Sequence, residues 1–149
     1  MGNTFILGGI ILPNQETLIQ KFFSRQGRLN RKPYLLRMLV ILLLLTLITL
    51  PIVTDTILSE GYFYFSLACF LVIAYASLNL QIRRLQDMGQ KSPYAYVLFA
   101  LSIVFRNFAA ISLLLLIIDL YICFAPGTLG PNPYGEDPLA DASAATLED

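Results

Sequence analysis

The chain of 149 residues is 56% hydrophobic and only 13% charged, and its mean hydropathy is +0.67. Soluble domains usually carry about 25% charged residues, so this composition excludes an ordinary soluble protein and predicts an all-α integral membrane protein. The chain contains no histidine, which excludes the common catalytic and zinc-binding motifs built on that residue, and we predict no metal site and no cofactor.

The first 26 residues are predicted to form an N-terminal extension that carries a short amphipathic helix. Asn14 is suited to cap this helix, which would place Leu18, Ile19, Phe22 and Phe23 on one side. Two interpretations stay open. The helix lies in the headgroup region of a membrane, or it packs against the membrane spans of the same chain.

Two long apolar runs predict transmembrane helices at about residues 34–54 and 61–82. Each run reaches the roughly 20 residues that a helix needs to cross a bilayer. Six basic residues lie before or at the start of the first run, none lies between the runs, and three follow the second. The positive-inside rule therefore predicts that the N-terminus and Arg83 are cytoplasmic.

The apolar sequence that follows Pro93 is too long for one straight span. As a single helix it would measure about 48 Å, against a hydrocarbon core of about 30 Å. We predict instead a short helical hairpin, with segments at 92–105 and 108–125 and a turn at Arg106. The first segment is short enough to be re-entrant or to thin the bilayer locally. A protein with three spans, whose C-terminus lies on the other side of the membrane, is the alternative.

Asp119 lies inside the last apolar segment, where an ionisable side chain needs a hydrogen-bond donor. The sequence offers Arg37, Arg83 and Arg84 as donors. One interpretation is a buried pair that locks the last helix to the others. The other is that Asp119 and Arg106 line a polar path through the membrane.

Residues 126–138 are dense in proline and glycine, which predicts an ordered loop without helix or strand. This loop would close a membrane domain that covers residues 27–138. Residues 139–149 are small and acidic and are predicted to be a disordered tail.

Three segments together resemble one family. Residues 27–34 read GRLNRKPY, residues 83–87 read RRLQD, and residues 130–138 read GPNPYGEDP. In this order they are similar to the motifs of the DUF805 group, which are small proteins of the bacterial inner membrane, and the resemblance covers roughly residues 22–138. It implies a multi-pass inner-membrane location but no mechanism, because the family has no established activity.

The sequence departs from the family pattern at three positions. Gln86 stands where the family has a histidine, and Leu35 and Tyr94 stand where it has tryptophans. Any acid–base or metal chemistry of the family histidine would be lost here. A hydrogen-bonding role would survive, since glutamine both donates and accepts.

The three motifs define a predicted site for an anionic lipid headgroup or phosphate, bound by bidentate guanidinium contacts with the C-terminal loop folded over it. Its residues are Arg28, Arg31, Arg83, Arg84, Asp87, Asn132, Tyr134 and Asp137. The simpler interpretation is structural: arginines in the last turn of a helix complement its dipole and face anionic headgroups. Asn132 and Tyr134 would then be turn and capping residues.

The sequence therefore predicts a small accessory or anionic-lipid-binding membrane protein with an arginine-rich cytoplasmic face. A small transporter or channel subunit that uses Asp119 and Arg106 is the alternative. We predict no catalytic residues and no nucleic-acid partner. The expected partners are the lipid bilayer, its anionic lipids, and another membrane protein or a second copy of the chain.

Overall fold

The computed structural model describes residues 6–7, 10–11, 17–54 and 59–139. Apart from two paired two-residue strands, the regular structure within these ranges is helical, which confirms the all-α prediction. Asn14 and nearly all of the acidic tail lie outside the described residues. The elements are β1 (Ile6–Leu7), β2 (Ile10–Ile11), α1 (Leu18–Phe23), α2 (Arg31–Val53), α3 (Glu60–Asp87), α4 (Pro93–Val104) and α5 (Ala109–Phe124). The two strands are antiparallel, with Ile6 opposite Ile11.

Helix α1 is short and begins with a capping box. The Thr17 hydroxyl accepts a hydrogen bond from the Gln20 backbone N–H at 3.2 Å, and the Gln20 side chain accepts one from the Thr17 N–H at 2.9 Å. The apolar residues predicted to share one side have different environments. Phe22 packs against the core, whereas Leu18 and Ile19 are 75% and 73% exposed.

Helices α2 and α3 are the longest elements, with 23 and 28 residues, and both are long and apolar enough to cross a membrane. Asn30 and Ser59 cap them through side-chain oxygens that accept backbone N–H groups. Only 6% of the apolar window of α2 and 22% of that of α3 lie buried within the protein. A core helix of a soluble protein would be mostly buried, so these exposed apolar helices are compatible with a membrane protein.

Helices α4 and α5 form an antiparallel pair joined by a turn at residues 105–107. Proline at the first position of α4 is tolerated, because the first backbone N–H groups of a helix have no partner within the helix. With 12 and 16 residues, both helices fall below the roughly 20 residues of a full span. That the chain has four membrane segments therefore stays a prediction.

The buried core of the described residues is concentrated where α3 ends. Leu80, Ile82 and Leu85 of α3 pack there with Leu29, which precedes α2, and Ile122, near the end of α5. Along the remainder of α2 and α3, most large apolar side chains are exposed. The last third of α3 is therefore the element against which the other segments are positioned.

Candidate functional site

The last turn of α3 carries a buried carboxylate between two buried guanidinium groups. Asp87 is 2% exposed, and its Oδ1 accepts a hydrogen bond from Arg28 Nε at 3.1 Å. Its Oδ2 accepts from the Nη1 of Arg84, which is fully buried. We call Arg28, Arg84 and Asp87 the buried cluster. It joins the segment before α2 to the end of α3.

Arg84 extends the buried cluster to α5. Its Nε donates to the carbonyl oxygen of Ile122 at 2.9 Å, and its Nη2 donates to that of Ala125. Its Nη1 also reaches the Leu29 carbonyl at 3.5 Å. The carbonyls of Ile122 and Ala125 belong to the last turn of α5 and the residue after it, where the helix dipole is negative and favours a cation.

Arg28 extends the buried cluster to the C-terminal loop. Its Nη1 donates to the carbonyl of Gly130 at 2.5 Å, and its Nη2 donates to that of Thr128. All three guanidinium nitrogens of Arg28 and of Arg84 thus donate to protein oxygens. Both side chains are almost fully buried, so this geometry favours the structural interpretation of the two arginines.

The C-terminal loop folds over the end of α3. Thr128 donates to the carbonyl of Asp87 twice, from its backbone N–H at 2.8 Å and from its hydroxyl at 3.0 Å. The Asn132 amide donates to the carbonyl of Gln86 at 2.9 Å. Gly127 passes so close to the Asp87 carboxylate that a Cβ there would lie 2.8 Å from its Cγ.

Asn132, Tyr134 and Asp137 organise the loop itself. Asn132 Oδ1 accepts from the backbone N–H of Tyr134 at 2.9 Å. The Asp137 carboxylate accepts from the backbone N–H groups of Leu139 and Gly130, each at 2.9 Å. These two hydrogen bonds lower the pKa of Asp137 below its ordinary value. This geometry favours the interpretation of Asn132 and Tyr134 as turn and capping residues.

The remaining predicted site residues have different environments. Arg83 is buried, and its carbonyl accepts the backbone N–H of Leu29 at 3.2 Å. Arg31 is exposed at the start of α2. Gln86, at the position of the family histidine, donates from Nε2 to the Ser92 hydroxyl at 3.0 Å, which links the end of α3 to the start of α4.

Asp119 accepts a hydrogen bond from Gln81 Nε2 at 3.0 Å. Gln81 is not among the donors that the sequence suggests, and Arg84 donates to Asp87 and to backbone carbonyls instead. The available signal for Gln81 is that it is one of a few polar residues in a largely apolar run, two positions before Arg83. Its pairing with Asp119 depends on how α5 packs against α3, which no local pattern specifies.

Two adjoining cavities lie between the helices. Asp119 lines one of about 240 Å³, together with Tyr34, Gln81 and Cys123. Arg106 lines the other, an apolar groove of about 450 Å³ between α2, α3 and α4. The two share the lining residues Met38, Ser77, Phe99 and Ser102. Arg106 and Asp119, the two charged residues predicted to lie within the membrane, thus line neighbouring spaces.

Comparison with known proteins gave one match. A family model described as "Protein of unknown function (DUF805)" matches residues 22–136. Neither the curated proteins nor the solved structures contain a match to the chain. The matched range includes the buried cluster, both cavities and most of the C-terminal loop.

The close approach of Gly127 to Asp87 predicts the effect of a Gly127→Ala substitution. The new methyl group would overlap the carboxylate, and Gly127 has no positive φ that would add backbone strain. We expect a loss of about 1–3 kcal/mol in stability, as for other overpacked sites, seen as a lower midpoint of thermal unfolding by circular dichroism in detergent. Gly61→Ala is the control, because nothing lies within 4 Å of its added Cβ. Equal midpoints for the two variants would contradict the proposed packing.

The Asp137 hydrogen bonds predict a pH-dependent contribution to stability. Because folding lowers its pKa from the ordinary value of 3.8, the ionised carboxylate stabilises the folded protein above that pH. This contribution is lost as the pH falls through the folded-state pKa. We expect Asp137→Asn to lower the unfolding midpoint relative to wild type at pH 6, and the difference to shrink below pH 3.8. The neighbouring Glu136→Gln variant should follow wild type at both pH values, and a deficit of Asp137→Asn that grows on acidification would refute the prediction.

Proposed function

Because the chain belongs to the DUF805 family, which is described as a protein of unknown function, we propose a function from the geometry of its own residues. We propose that it is a multi-pass protein of a bacterial inner membrane that binds anionic lipids at the end where α3 terminates. In this proposal α2 and α3 cross the bilayer, the N-terminus is cytoplasmic, and the role is accessory to another membrane protein or to a second copy.

Polar contacts that link α1 and the residues after it to α2 and α3 support a membrane surface at the height of α1. Arg37 of α2 donates from Nη1 to the Lys21 carbonyl at 2.8 Å. Arg25, just after α1, donates to the Tyr75 hydroxyl at 3.1 Å, and its guanidinium lies 5.2 Å from the centre of that ring. Basic and tyrosine side chains of this kind are typical of the interface between water and lipid.

The exposed apolar surface of α1 is the observation that carries the proposal. Leu18 and Ile19 are exposed on α1, Lys21 and Arg25 follow within a few residues, and Phe23 stacks on Tyr75 with ring centres 6.0 Å apart. An apolar edge flanked by basic residues suits a helix that lies in the headgroup region of an anionic membrane. The helix also packs against α3, so the two interpretations from the sequence are compatible.

Further positive charge at the same end is available to lipid headgroups. Arg28 and Arg84 are buried and form hydrogen bonds within the protein. In this proposal the exposed basic residues therefore bind the headgroups, which is the role that the sequence analysis assigned to the arginine-rich face. They are Arg25, Arg31, Lys32 and Lys91. Each basic residue near an anionic surface contributes about 1 kcal/mol to binding, and salt screens the attraction.

Neutralising two of these charges tests the proposal. In nanodiscs that mix phosphatidylglycerol and phosphatidylcholine, we expect Arg31→Gln/Lys32→Gln to weaken the retention of phosphatidylglycerol by up to about 30-fold at low salt, since two charges contribute about 2 kcal/mol. Native mass spectrometry measures the retained lipid. The charge-preserving swap Arg31→Lys/Lys32→Arg should behave as wild type. Unchanged retention in the neutralised variant, at low and high salt, would refute lipid binding at this end.

The adjoining cavities favour a second function, a small transporter or channel subunit with a polar path past Asp119 and Arg106. The four residues that both cavities share support a connection between the two charges. We expect Asp119→Asn, which keeps an acceptor for Gln81, to abolish a cation or proton flux through proteoliposomes while the unfolding midpoint is unchanged. The absence of flux in wild-type proteoliposomes would rule out this second function.

A further inference from the structure

The hairpin of α4 and α5 ends about halfway along the two long helices. Its twelve-residue α4 is about 18 Å long, whereas α2 and α3 measure about 35 and 42 Å. Only residues 88–92 separate α3 from α4, so the hairpin begins at the end that holds the buried cluster. By these lengths, α4 can run beside only about the half of α2 and α3 that lies nearest the buried cluster.

Arg106 lies in that turn, far from the level of the membrane surface proposed above. It lines the same groove as Leu42 and Leu45, which follow Arg37 by five and eight residues, or about 8–12 Å along α2. Phe70 of α3 lies at the corresponding depth. In a bilayer, this places Arg106 within the hydrocarbon region, where an ionised side chain is costly unless it is paired.

The described residues provide no carboxylate for Arg106. Asp87 is paired with two other arginines, and Asp137 accepts backbone N–H groups in the C-terminal loop, where Glu136 also lies. Glu60 begins α3, ten residues or about 15 Å before Phe70. Asp119 is bonded to Gln81 and lies ten residues beyond the first residue of α5, about 15 Å along that helix. Among the parts of the chain that the structure describes, Arg106 thus lines an apolar groove and is exposed, with no ion pair to a carboxylate.

The groove has the shape of a site for a hydrocarbon chain. Its lining covers 38–45 of α2, 70–77 of α3 and 99–106 at the end of α4. The ranges of α2 and α3 each span seven helical steps, or about 10 Å, and the third range covers the end of α4 and the start of the turn. Arg106 occupies the end furthest from the buried cluster, and the volume of about 450 Å³ falls within the usual range for small-molecule sites. The charge and the apolar walls together suit an anionic group attached to an acyl chain.

We infer that this groove binds one anionic phospholipid, with its phosphate on the Arg106 guanidinium and one acyl chain directed along the groove towards Met38. The inference rests on the membrane insertion in the proposed function, but not on lipid binding at the basic end. The lipid belongs to the leaflet opposite the buried cluster. Because the hairpin is short, the bilayer thins above its turn, and the arginine extends towards the lowered headgroups.

The experiment counts tightly bound lipid on the full chain in nanodiscs that contain phosphatidylglycerol and phosphatidylcholine. We expect one phosphatidylglycerol per protein to survive increasing activation in native mass spectrometry. Arg106→Gln should lower its retention roughly tenfold, because a charge-assisted contact is lost, and Arg106→Lys should restore most of it. Asn107→Gln, which changes the exposed neighbour of Arg106 outside the groove lining and leaves every charge in place, is the control and should retain the lipid.

A second variant tests the acyl-chain part of the site. Ser102→Phe keeps Arg106 but fills the groove, so it should lose the lipid as Arg106→Gln does, with an unchanged circular dichroism spectrum. Retention of phosphatidylglycerol by both variants would overturn the inference. Equal retention of phosphatidylcholine would also overturn it. So would a dimer that the Arg106→Gln substitution converts to a monomer without loss of lipid, because the counter-ion would then be an acidic residue of a second copy.

This assay can refute either of the two lipid proposals without refuting the other. Loss of the tightly bound lipid in Arg106→Gln, with no effect of Arg31→Gln/Lys32→Gln, would support the groove and refute the basic-end site. The opposite pattern would refute the groove alone. A protein that carbonate washing removes from membranes would refute both, because neither site exists without insertion.

Discussion

The structure depends on one carboxylate that is shared by two arginines. Burying Asp87 is costly unless its charge is matched, and removing one partner would leave an uncompensated buried charge, which typically costs about 3–5 kcal/mol. Arg28 and Arg84 supply the match, and together they leave an excess positive charge in the buried cluster. Carbonyl oxygens at the end of α5 and in the C-terminal loop offset this excess. The cluster therefore forms only when segments from both ends of the chain meet.

This arrangement suits a chain whose helices lie in lipid. Between helices in a bilayer, the hydrophobic effect provides no attraction, because lipid tails are as apolar as leucine. The exposed apolar faces of α2 and α3 thus cannot by themselves specify how the helices are arranged. Hydrogen bonds with fixed partners can do so, and the described structure concentrates them at one end. The short hairpin of α4 and α5 is held there through the contacts of Arg84 with Ile122 and Ala125.

The sequence predicted the local features and missed the long-range partners. Uncharged runs indicated α2 and α3, and proline and glycine indicated the loop, because these signals act over a few residues. Gln81 and Asp119, which are 38 positions apart, pair only because of the way α5 packs on α3. The role of Arg84 was equally undetermined: an arginine that binds a headgroup and one that binds carbonyls look the same in a sequence. Burial separates the two roles, and burial is a property of the folded chain.

Arg84 and Arg106 have different surroundings, although both guanidinium groups need hydrogen-bond acceptors. Both lie next to apolar helices, and each needs acceptors for its donors. Arg84 receives a carboxylate and three backbone carbonyls from segments that converge on it. Arg106 follows the end of α4, where the described residues offer its side chain no such set of acceptors. It lines a groove whose walls include leucine and phenylalanine. A helix one turn longer or shorter would have moved the charge to a different depth. The length of α4 thus sets the depth of Arg106 along α2 and α3.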